Sequence, residues 1–179
     1  MKQNESKQKI FQAYLTLAKE PDTPINVRKI TQLAGIARST FYSHYDNIDQ
    51  LVVDLENDFL YEMEEIFTQH PVRQLEATLS LLAGVLQARY DTLQVLLTSK
   101  EGNVFLHKLN HTLKTLFAHF LTTQKIAFSN IQLTFAVTGL LSITDFLEAS
   151  PSQSQLQHTV EEYTQILQHI FPELIKKAV

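Results

Sequence analysis

The sequence predicts an all-α chain, and three observations predict it. Only four glycines and five prolines interrupt 179 residues. The longer apolar patterns recur every three or four residues instead of alternating, which is the spacing of one helix face. The breaks between them hold residues that cap or stop helices. The pattern resolves into about nine helices, three short ones in a head and the rest in a longer body.

Residues 6–19 place Ile10, Ala13, Tyr14 and Leu17 on one face, an amphipathic helix. Pro21 and Pro24 stop it, because neither proline continues a helix and each disfavours helix in the residue before it. Asn26 is a good N-cap for a short helix over 27–34, with Val27, Ile30, Leu33 and Ala34 as its buried stripe. Gly35 follows, where a left-handed residue costs least, and Ile36 plugs the turn. A third helix over 38–45 starts within three residues. Two short helices joined by a tight glycine turn are a helix-turn-helix signature.

From Ile48 a long helix carries Leu51, Leu55, Phe59, Met63, Ile66 and Phe67, ending at His70-Pro71. Residues 72–90 and 91–99 form the next two helices, and Gly102-Asn103 reads as a break. The helix over 104–122 carries Leu106, Leu109, Leu113, Leu116, Phe117 and Phe120. Residues 130–149 and 153–170 complete the set, separated by Ser150-Pro151-Ser152.

Composition narrows the function. The chain has no cysteine, so disulfides and thiolate metal sites are excluded. The N-terminal MKQNESKQKI has no apolar core behind its charge. No apolar run reaches the roughly 18 residues of a membrane span. A soluble cytoplasmic protein with no membrane partner is expected. The net charge of -4 hides an asymmetry: residues 1–45 hold seven bases and three acids, whereas residues 46–179 hold eight bases and sixteen acids. The head therefore attracts polyanions and the body repels them.

A recognition helix needs polar groups for phosphates and base edges, an apolar back and little negative charge. The 38–45 helix meets all three. Phe41 and Tyr45, four apart, share a face assigned to packing on Ile30, Leu33 and Ile36. The opposite face shows Arg38, Ser39, Tyr42 and Ser43, with Thr40 and His44 at its edges and no carboxylate. Arg28, on the preceding helix, joins this DNA-binding set.

The run VRKITQLAGIARSTFYSHYDNIDQLVVDL, residues 27–55, resembles the DNA-binding head of the TetR family of transcriptional regulators, and residues 10–17 resemble the helix before it. The specific combination is Ala34-Gly35-Ile36 with Thr40-Phe41-Tyr42 and His44-Tyr45. GLLSITDFLEAS, residues 139–150, with Leu156, Val160, Tyr163 and Leu167, is similar to a TetR-like subgroup that includes the activator of dihydroxyacetone kinase operons. Three positions depart from the family pattern: Ala37 where Ser or Thr usually caps the recognition helix, Ile48 where a lysine usually meets a phosphate, and Thr31 where alanine is usual.

The resemblance implies a DNA-binding head over 1–46 and a helical ligand-binding and dimerisation body over 47–179. It implies a homodimeric repressor, released from a pseudo-palindromic double-stranded operator by a small ligand. Thr40, Tyr42 and His44 would hold phosphates, and Arg38, Ser39 and Ser43 would face base edges. Pocket candidates are Phe59, Met63, Phe67, Leu86, Tyr90, Phe105 and Phe117; few charges interrupt them, so the expected ligand is apolar or aromatic. A packed core is the alternative for each. A body that answers a partner protein instead of a metabolite is the alternative for the whole.

The helix over 130–149 is apolar nearly all round and must be covered on two sides, so a two-fold mate is expected on one of them. The interface set is Phe135, Gly139, Leu140 and Ile143, with Leu156, Val160, Tyr163 and Leu167 from the last helix; Ala136 and Gly139 would let the mate approach closely. His107 and His111 have metal-binding spacing, with His119 two turns on, but their neighbours Lys108, Asn110 and Lys114 bring no third ligand. No metal or cofactor is expected. Nor is an enzyme, since P-loop, nucleophile elbow, thiol and paired-carboxylate motifs are all lacking.

Overall fold

The computed structural model of the protein describes residues 2–20, 24–69, 75–147 and 152–173, among which there are nine helices and no strand. The chain divides into two compact units: Met1–Phe59 with Asp91–Gly102, and Leu60–Tyr90 with Asn103–Val179.

In the first unit, α1 (Lys2–Ala18) packs against α2 (Val27–Ala34), and α2 against α3 (Arg38–Tyr42). Ile10, Ala13, Tyr14 and Leu17 are buried as their spacing predicts, and Phe11 and Leu15 widen the face. Asn26 caps α2, its side-chain oxygen accepting the Lys29 N–H at 3.0 Å. Gly35 closes that helix at φ 64°, with its N–H on the Gln32 carbonyl and the Ile36 N–H on that of Thr31. This paired closure satisfies carbonyls that a helix end otherwise leaves open.

α3 is shorter than the predicted 38–45. It ends at Tyr42 because the chain must turn into α4 (Ile48–Gln69), whose start is fixed by the Asn47 side chain on the Gln50 N–H at 2.8 Å and the Gln50 side chain on the Asp46 N–H at 2.6 Å. Leu33 is also displaced from its expected place behind α3. It is 52% exposed, because an eight-residue helix held between α1 and α3 buries only Ile30 and Thr31 fully. Along α4, Leu51, Leu55, Phe59, Met63 and Ile66 are buried. His70 and Pro71 lie outside the described residues.

The first unit also takes in most of α6 (Tyr90–Thr98), with Thr92, Leu93, Val95 and Leu96 buried and Asp91 ion-paired to Lys19 of α1. Tyr90 thus opens α6 instead of ending the helix before it. Gly102, expected as a break, is the first residue of α7 (Gly102–Thr123). A Cβ there would run into the Leu97 carbonyl, so this glycine serves close backbone approach.

In the second unit, α5 (Leu75–Ala88) lies against α8 (Asn130–Leu147) and α9 (Gln153–Ile170), which also pack on each other. α7 ends with the same paired closure as α2, the Lys125 N–H on Thr122 and the Ile126 N–H on Leu121, but here a lysine adopts φ 55°. Ser152 and Gln155 form a reciprocal capping box that starts α9. Residues 72–74 and 148–151 lie outside those described.

Candidate nucleic-acid interface

The residues predicted for DNA lie on α2, on α3 and in the turn that follows α3. Arg28, Arg38, Ser39, Tyr42 and Ser43 are exposed, and Thr40 and His44 half-buried. Phe41 behind them is fully buried, its ring perpendicular to that of Tyr42 at 5.6 Å between centroids, and Tyr42 is 55% exposed. Lys29, half-buried, is a further base on α2. Neither helix carries an acid.

Two expected roles change in detail. Ser43 donates its hydroxyl to the Thr40 carbonyl at 2.8 Å, so only its lone pairs remain for a base edge. Thr31, at the position where alanine is usual in the TetR pattern, is buried and turns its hydroxyl back onto the Val27 carbonyl at 2.9 Å. That bond satisfies the hydroxyl inside its own helix, so close packing survives the larger side chain. Ala37 provides no side-chain cap, and the first turn of α3 is closed by the Thr40 N–H on the Ala37 carbonyl.

Behind this face lies a junction that periodicity did not reveal. The Tyr45 ring stacks on Phe11 of α1 at 6.4 Å and meets Phe41 of α3 at 5.7 Å with the rings tilted by 57°. Its hydroxyl donates to Asp54 of α4 at 2.7 Å. The same carboxylate pairs with Lys7 of α1 at 3.0 Å. Burial first, and then the Asp54 carboxylate, push the Tyr45 phenol far above its ordinary pKa.

The other predicted sites are placed differently. Phe59, Met63, Leu86, Phe105 and Phe117 are buried, and Phe67 and Tyr90 half-buried. Phe117 meets Phe120 and Phe171 at about 6 Å in the core of the second unit. An open cleft of about 450 Å³ lies elsewhere, between α1 and α2, bordered by Gln8, Gln12, Thr16 and Leu33. On α8 and α9, Leu140, Leu156, Val160, Tyr163 and Leu167 are already buried within the chain. Tyr163 donates to the Ala136 carbonyl, and a Cβ on Gly139 would sit 2.8 Å from the Tyr163 ring. The close approach that Ala136 and Gly139 were expected to give a mate is thus taken by α9 of the same chain. Phe135, with Ile131, remains outward at 67% and 70% exposure, and the Ile143 side chain lies outside those described. His107, His111 and His119 are all exposed; among the described residues no three His, Cys, Asp or Glu side chains could hold a metal. No helix among them is long and apolar enough to cross a membrane.

No protein-family model and no curated protein sequence matches the chain. Solved structures do. The chain is similar to the dihydroxyacetone kinase operon activator DhaS, at 20% identity over 94% of this chain and 96% of that one, with a TM-score of 0.60. It is similar to a TetR transcriptional regulator from Streptococcus agalactiae 2603V, at 21% identity over 93% and 95%, TM-score 0.61. It is similar also to the fatty acid degradation regulator FadR from Bacillus halodurans, at 16% identity over 90% and 94%, TM-score 0.66. At these identities the shared property is the fold: the chain has the all-helical architecture of TetR-like transcriptional regulators.

Proposed function

We propose that the protein is a DNA-binding transcriptional regulator, a cytoplasmic homodimer with its DNA-binding head in residues 1–46 and its regulatory body in residues 47–179. The observation that carries this reading is the acid-free face of α2 and α3, with Arg28, Arg38, Ser39 and Tyr42 exposed on a helix-turn-helix closed by Gly35. Guanidinium and hydroxyl groups at helix spacing can meet phosphates and major-groove edges together. Dimerisation is supported by Ile131 and Phe135 on α8 and Ile166 on α9, large apolar side chains that one chain leaves in water. A repressor released by an apolar ligand is the regulatory form we favour. The fold shared with a regulator of fatty acid degradation supports it.

Selection from random duplexes tests the reading. The chain should enrich a pseudo-palindrome, and Arg38→Ala should cost about 1–3 kcal/mol per half-site while relaxing preference at one position. Tyr42→Phe should weaken all duplexes alike. No enrichment by the wild-type chain would overturn the proposal. Release of the selected duplex by a protein, and by no apolar compound, would replace the ligand with a partner.

A further inference from the structure

α3 is weakly fixed by its own residues. It has five residues, one fully buried side chain and no side-chain cap. What holds it is downstream. Tyr45, 4% exposed, lies three residues past its end and joins three elements: its ring packs on Phe11 of α1 and Phe41 of α3, and its hydroxyl is bonded to Asp54 of α4. Asp54 is held in turn by Lys7, whose ammonium also sits 5.3 Å over the Phe11 ring. Lys7, Phe11, Tyr45 and Asp54 thus close a ring of contacts around the back of the recognition helix.

We infer that Asp54 is a positioning residue for DNA recognition: through Tyr45 it fixes the angle at which α3 is presented, without touching DNA itself. This rests on the DNA-binding reading above. The bond to a carboxylate is the strong kind of hydrogen bond, and the ring stack gives it a fixed origin. Specific contacts need α3 at one angle, whereas non-specific attraction to phosphates tolerates many. Loss of the bond should therefore separate the two.

The test uses the full chain carrying Tyr45→Phe, Asp54→Ala or both. Tyr45→Phe keeps the ring and removes only the hydroxyl. Affinity for the selected operator should fall roughly ten-fold in each variant, the size expected for one charged hydrogen bond, and no further in the double variant. Affinity for a random duplex of equal length should stay unchanged. In the free protein, amide hydrogen exchange should quicken in α3 and not in α2. Parallel loss of both affinities, additive losses, or unaltered exchange in α3 would overturn the inference. If the wild-type chain selects no duplex, the DNA reading falls, and the exchange result alone then decides whether Asp54 positions α3.

Discussion

Gly35 and Lys125 occupy the same position in the same closing motif, at φ 64° and 55°. Only one of them was legible in the sequence. A glycine just past an apolar-periodic stretch signals a left-handed residue, whereas a lysine there carries no such signal. The pair makes a matched prediction. A Cβ on Gly35 would meet nothing within 4 Å, so Gly35→Ala should be destabilising through the backbone alone, by about 1–2 kcal/mol. Lys125→Gly should go the other way, gaining up to about 1 kcal/mol, because it removes the left-handed strain against the entropy that glycine loses on folding. Denaturant titration of both variants checks the signs. Equal signs would mean that the two closures are not equivalent.

At the scale of elements, the sequence was most informative where the determinants are local. The bounds of Val27–Ala34 were readable because its cap and its turn glycine lie within ten residues, whereas its stripe was read only in part, since Leu33 is exposed. The end of α3 was not: Tyr45 is buried with Phe41 as their spacing predicts, but it lies beyond the helix, where it meets Phe11 and Asp54 in contacts that no helix period encodes. Asp54 and Lys7 escaped the site prediction for the same reason. α8 shows the limit most clearly: an apolar helix must be covered, but its pattern does not say by what. Leu140 is buried within its own chain, and Gly139 receives Tyr163 of α9. Gly139→Ala should therefore destabilise the chain by about 1–3 kcal/mol, since the ring must shift while its hydroxyl is bonded to Ala136. Phe135→Ser, by contrast, should leave the unfolding free energy of a dilute monomer nearly unaltered and weaken self-association, read by sedimentation across a concentration series. If Gly139→Ala were neutral and Phe135→Ser unfolded the chain, the assignment of the two faces would be inverted.

For the whole molecule, buried phenols offer a probe of each unit by itself. Tyr14 and Tyr45 belong to the first unit and Tyr163 to the second. Burial is the largest cause of a raised pKa in all three. In the unfolded chain each phenol ionises near its ordinary value of about 10. In the folded chain it holds its proton to higher pH, so the folded state binds more protons there. Its contribution is then full and flat below about pH 10 and is lost as pH rises beyond that. Stability measured by denaturant should fall steadily above about pH 10. Tyr163→Phe removes the ionisable group and keeps the ring, so it should flatten that fall at the cost of the Ala136 bond. The comparison with Tyr45→Phe is the sharper part. If the two units unfold as one, either variant flattens the single transition. If they unfold separately, Tyr163→Phe alters only the transition of the α5, α8 and α9 unit, and Tyr45→Phe only that of the unit holding the helix-turn-helix. A fall above pH 10 that neither variant reduces would show that alkaline instability comes from the general excess of negative charge and not from these phenols.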